Sequence, residues 1–102
     1  MSRCTAKVTW ISKAAGGRSS LPTGDQYVAV SRFPEDGLNW PDGAWSVVLE
    51  FSSPASEQGN PSVGTARFLS EEAPLERLRP GRVFELYEGL HQVATVELID
   101  GC

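Results

Sequence analysis

Six short segments of this chain carry strand character, and none carries helical periodicity. "AWSVVLEF" (44–51) is the clearest: Trp45, Val47, Leu49 and Phe51 fall on one face and Ser46 and Glu50 on the other, the alternation of a half-buried strand. "AKVTWIS" (6–12) repeats the pattern, with Ala6, Val8 and Trp10 on one side and Lys7 and Thr9 on the other. "QYVAVSRF" (26–33), "SVGTARFL" (62–69), "RVFELY" (82–87) and "HQVATVELI" (91–99) complete the set. A sheet of such strands exposes unpaired edges unless it closes or folds over. The pattern therefore predicts an all-β chain, most economically a closed six-stranded antiparallel barrel. A two-sheet sandwich is the alternative that pattern alone leaves open.

The connections carry turn chemistry. In "NWPDGAW", Pro41 presets one turn angle and Gly43 accepts the positive φ that follows. Glu88 and Gly89, between two strand segments, predict a tight hairpin. "SSPASEQGNPS" (52–62) has no apolar residue beyond Ala55 and reads as a mobile polar loop. "SEEAPLERLRPGR" has room for one helical turn after Ser70 before Pro74 and Pro80 stop it. In "AAGGRSSLPTG" (14–24), Gly16 and Gly17 permit a bend at positive φ.

At 102 residues the chain is expected to form one domain, 1–102, and its 40% apolar content suffices for a core without metal or disulfide staples. No apolar run is long enough to span a bilayer or serve as a secretory leader, so a soluble, cytoplasmic protein with no membrane partner is expected. Cys4 and Cys102 lie close to opposite ends of the chain, where a bridge is conceivable. Without an export signal, two reduced thiols are the expectation. Net charge is -4 but unevenly spread. Residues 1–24 hold Arg3, Lys7, Lys13 and Arg18 with no acid, whereas residues 25–102 hold five basic and all 13 acidic side chains. An acidic whole argues against broad nucleic-acid binding, whose affinity comes mainly from neutralising phosphates, but leaves room for a local basic face.

No catalytic constellation is visible. His91 is the single histidine, and it stands just past a turn. There is neither a GxSxG elbow nor an HExxH pair. Glu71 and Glu72 read as a solvated face with Arg77 and Arg79 nearby, and Glu85 and Glu97 are placed to face each other across neighbouring strands. Nothing in either pair signals the burial that separates an acid from a base. "AAGGRS" lacks the spacing of a phosphate-binding loop and the helix that should follow it. The cysteines lack the CxxC spacing of a zinc site. A non-enzyme with no cofactor and no metal is expected.

Two motifs resemble one family. "WISKAAGGRSSLPTGDQY" is similar to the opening of the third domain of elongation factor Tu, where a strand leads into a Gly-Gly-Arg loop followed by a proline; Gly16, Gly17, Arg18, Pro22, Gly24 and Tyr27 take those places. "LSEEAPLERLRPGRVFELYEGLHQVATVEL" is similar to the end of that domain, with its Glu-Gly turn at Glu88 and Gly89. The resemblance spans residues 6–99 and implies a closed six-stranded barrel that stands here without a GTPase domain. It also implies a contact side formed by Gly16, Gly17, Arg18, Glu88 and Gly89, which in the family meets the arms of aminoacyl-tRNA. This chain departs at Ala15, where the family has an acid, and at Leu90 and His91, where it has glycine and arginine.

Two kinds of partner follow. A protein partner is favoured by the acidic surface, the aromatic supply and the packing habit of such domains. An RNA partner is favoured by Arg18 beside Lys13 in an acid-free stretch. The candidate contact residues are Lys13, Gly16, Gly17, Arg18, Trp40, Glu88, Gly89 and His91. Trp40, beside Pro41, is either a binding anchor or a cap on one end of the core.

Overall fold

A computed structural model describes residues 3–102. Its six strands are β1 (Cys4–Trp10), β2 (Gln26–Arg32), β3 (Ser46–Glu50), β4 (Ser62–Phe68), β5 (Val83–Glu88) and β6 (His91–Asp100). Every neighbouring pair is antiparallel, and the order β1-β4-β3-β2-β5-β6 returns to its start, so the sheet closes in a ring. Closure removes the edges that an open sheet of these strands would expose. The seams are unequal: β2 meets β5 through only Val30↔Tyr87, Ser31↔Leu86 and Arg32↔Glu85, whereas β1 runs beside β6 from Thr5↔Asp100 to Trp10↔Ala94.

Alternation decides what points inward. Cys4, Ala6, Val8 and Trp10 of β1, Val47 and Leu49 of β3, Phe84 and Leu86 of β5, and Ala94, Val96 and Leu98 of β6 are all buried in one core. The interior is filled by pairing small residues with large ones. Ala6, Ala29, Ala66 and Ala94 leave room for Trp10, Phe33, Phe51, Phe68 and Phe84, as a narrow ring demands. Gly64 is required by the same crowding, because a Cβ there would lie 2.4 Å from the Glu50 carbonyl and 2.7 Å from Phe51 Cδ1. The Trp10 indole donates to the Ser62 hydroxyl at 3.0 Å, satisfying a polar pair inside the wall.

The ends of the ring are closed by the connections. At the end where β1 finishes, Phe51 N–H donates to the Asp25 carbonyl and Ser56 N–H to the Pro22 carbonyl. At the other end Phe33 stacks on Phe84 with centroids 4.4 Å apart, and the Arg77 and Arg82 guanidiniums each lie 5.4 Å from its ring centre. Arg77 is paired with Asp36 at 3.0 Å, both side chains nearly out of solvent, and the other Asp36 oxygen accepts from Phe33 N–H. Arg82 reaches Glu35, whose carboxyl is held below its ordinary range chiefly by that hydrogen bond.

Several expectations change. The segment at 52–62 is ordered, with a short helix α1 (Ala55–Gln58). Ala55 is fully buried, and the Gln58 amide donates to the Ser53 and Val63 carbonyls while accepting from Val63 N–H. Arg77 turns to Asp36 and so forms no face with Glu71 and Glu72. Glu85 lies opposite Thr95, and Glu97 opposite Val83, so the two acids are diagonal neighbours. The reduced-thiol expectation also fails: Cys4 and Cys102 are joined in a disulfide, Cα atoms 4.2 Å apart. The physical reason is the β1–β6 ladder, which carries both chain ends along one seam. The 41–44 turn is as expected, with Ala44 N–H donating to the Pro41 carbonyl and Gly43 at φ 73°.

Candidate functional site

Both glycine-bearing corners lie at the same end of the ring. β1 delivers the chain into a 3-10 turn at Lys13–Ala15, and antiparallel pairing sets the β5–β6 turn beside it. Ser12 caps the 3-10 turn through its hydroxyl, which accepts from Ala15 N–H, and Gly16 leaves it at φ 92°. Gly17 has a different reason to be glycine: a Cβ would sit 2.0 Å from the Ile11 carbonyl oxygen. The loop amides face inward. Gly16 N–H donates to the Lys13 carbonyl and Gly17 N–H to the Ser12 carbonyl, so neither is turned outward to cradle an anion.

The bend does not explain Arg18, and the contacts across the rim do. Its guanidinium pairs with the Glu88 carboxylate, 70 residues away in sequence, while its Nε donates to the Ser20 carbonyl at 2.9 Å. The Tyr27 hydroxyl donates to the same Glu88 oxygen, and Arg18 lies over the Tyr27 ring at 5.2 Å. These three side chains fasten the loop to β2 and to the hairpin. The Glu88 carboxyl is held below the usual glutamate range by the Tyr27 hydrogen bond first; partial burial opposes this, and Arg18 reinforces it. The Tyr27 phenol is pushed well above its ordinary range, mainly by burial and then by Glu88. Arg18 is raised on balance: burial lowers it, and the bonds to Glu88 and Tyr27 more than offset that. With Arg18 28% and Glu88 44% exposed, the pair fixes geometry more than it adds stability.

A shallow hollow follows, lined by Gly16, Gly17, Arg18, Glu88, His91 and Val93. Five of the eight residues expected at a contact site thus share one surface. Gly89 forms the adjoining turn at φ 59°, and Lys13 stands exposed on the loop. Trp40 is not among them. It lies outside the ring over β2 and β5, its indole donating to the Ser31 carbonyl at 2.9 Å, its ring against Tyr87 at 4.4 Å and under Arg32 at 5.3 Å. It therefore covers the narrow β2–β5 seam and caps neither end of the core.

Leu90 stands out in the sequence only as a departure from the family's glycine and is not among the eight candidate contact residues. The two-residue turn Gly89-Leu90 has positive φ only at its first position, the pattern of a II′ hairpin, which leaves the second position free for almost any side chain. Leucine occupies it at 77% exposure, beside the charged hollow. The signal was present as an apolar residue inside a turn where polar ones are usual. Among the described residues, no three His, Cys, Asp or Glu side chains are grouped to hold a metal ion, and no helix is long and apolar enough to cross a membrane. No protein-family model matches the chain, and no curated protein matches it either.

Proposed function

We propose that this chain is a non-enzymatic interaction module, resembling the third-domain barrel of elongation factor Tu, that binds a protein partner through the rim formed by the 12–18 loop and the β5–β6 turn. The observation that carries the reading is Leu90, displayed at 77% exposure on a tight turn that is held in place by the Arg18–Glu88–Tyr27 cluster. A rigid apolar tip ringed by polar groups is the usual make-up of a contact centre, since little entropy is lost in fixing it. An RNA partner is the second reading, favoured by exposed Lys7 and Lys13 in the acid-free stretch. Its arginine is already neutralised by Glu88, which leaves less charge to release counterions.

Affinity capture with the whole chain separates the two. A stoichiometric protein retained by the natural sequence and by Ile99→Glu, but lost with Leu90→Glu, is the expected result. Equal recovery with Leu90→Glu refutes the rim as the contact. A mobility shift with bulk tRNA at low salt, abolished by Lys13→Glu and by added salt, establishes the RNA reading instead. The disulfide bears on setting, because such bonds persist in oxidising compartments. Thiol labelling of the protein trapped in acid at the moment of cell lysis tests the cytoplasmic expectation: two labelled thiols support it, and an unlabelled, bridged pair refutes it.

A further inference from the structure

The opposite end of the ring carries an apolar groove that the rim does not use. β4 ends on buried Phe68, which forms the floor; Leu69 and Leu75 form walls at 56% and 42% exposure, and Ser70 and Glu71 complete the lining. The turn after Leu69 is preset: the Ser70 hydroxyl accepts from Glu72 N–H at 3.1 Å and its carbonyl from Ala73 N–H at 3.3 Å. Behind it Ala73 and Leu78 are buried, so the wall is anchored to the core. At about 260 Å³ the groove falls below the range of sites that enclose a small molecule and suits one or two apolar side chains.

Charge specifies what those side chains come with. Glu71 and Glu72 stand exposed on the preset turn, and Glu76 is exposed beside Leu75. Among the described residues none of the three has an ion-pair partner, since Arg77 and Arg82 are committed to Asp36 and Glu35. Arg79 is the only cation of this segment left unpaired among the described residues. We infer that this groove is a second docking surface, for a protein segment that presents an apolar side chain flanked by lysine or arginine. Acidic apolar segments are disfavoured there, because a like charge beside Glu71 and Glu72 costs affinity, and uncharged ones gain no such attraction. With the rim contact at the far end, the chain then links two partners.

The test uses the whole chain and a short fluorescein-labelled peptide of alternating lysine and leucine, with glutamate-for-lysine and serine-for-leucine counterparts. Anisotropy reports affinity, and amide NMR shifts report location. The lysine-leucine peptide should bind and perturb residues 68–76, and both counterparts should bind at least about tenfold more weakly. The double change Glu71→Lys with Glu72→Lys should reverse the charge preference, Leu75→Ser should weaken binding roughly fivefold, and Glu57→Lys at the other end should leave it unaltered. All four positions are exposed, and a thermal melt of each variant confirms folding. No binding of the lysine-leucine peptide, shifts that bypass 68–76, or a charge preference unmoved by the double change overturns the inference. Leu90→Glu leaves this binding intact, so loss of the rim contact and loss of the groove are told apart.

Discussion

Replacing Cys102 by serine tests how the ring is held. Cys102 is exposed and Cys4 fully buried, so the change removes the covalent link while leaving Cys4 in its place in the core as a small apolar side chain. The β1–β6 ladder remains, and the effect falls on the unfolded chain. The bond closes a loop between positions 98 apart. For a loop of that length the chain-entropy relation gives about 4.7 kcal/mol at 25 °C. A domain of this size has about 5–15 kcal/mol in all, so Cys102→Ser should remove a third or more of it and lower Tm by about 20 °C. Urea unfolding followed by tryptophan fluorescence measures this. The m-value should rise in the variant, because the uncrosslinked chain exposes more surface on unfolding. The natural protein in reductant should then match the variant in both midpoint and slope. A loss below about 1 kcal/mol with an unchanged slope refutes the argument. It would mean that the crosslink constrains nothing the unfolded ensemble had not already given up.

Three other outcomes are expected. Because the folded Glu88 carboxyl lies below its unfolded value, its contribution is full above the ordinary glutamate range of about pH 4.3 and is lost as pH falls through the lowered value; the Arg18 side-chain N–H resonance should stay sharp at neutral pH, broaden below that window, and be broad throughout in Glu88→Ala. Arg77→Ala leaves the Asp36 carboxylate, 4% exposed, without its cation and should cost about 3–5 kcal/mol in chemical denaturation, with Asp36→Asn added to it restoring part of the loss. Gly17→Ala forces a methyl against the Ile11 carbonyl and should cost about 1–3 kcal/mol by the same measurement, with the shift in amide NMR confined to the 11–18 loop.

The strands were legible because alternation marks an inward face on each of them, although β3 is more enclosed than its half-buried pattern suggests: Val48, on its outward face, is buried along with Val47 and Leu49. Trp45, Val47, Leu49 and Phe51 announce one face, and the β3 core residues are the ones that alternation selects. The first strand is displaced, running Cys4–Trp10 instead of 6–12, because Ile11 and Ser12 already turn into the 3-10 segment while Thr5 pairs with Asp100. The order of the segment at 52–62 was hidden in a single side chain: Ala55, the one apolar residue there, is fully buried and anchors the rest. Contacts made by topology left no trace in the sequence. Arg77 and Asp36 lie 41 positions apart, Arg18 and Glu88 70, and no local spacing announces either pair. Of the candidate site, the two glycine corners were found through motif and turn chemistry, whereas Leu90 registered only as a departure from the family's glycine.

The uneven seams carry one more consequence. A bracelet parts at its clasp, and here the clasp is the three-residue junction of β2 with β5. Tyr87 sits on that junction under Trp40, Phe33 meets Phe84 on its inner side, and Arg18 ties its rim through Glu88. A partner held at Leu90 and the neighbouring loop, as proposed, would therefore bear on the fastening as well as the ornament, at the shortest join of the hoop.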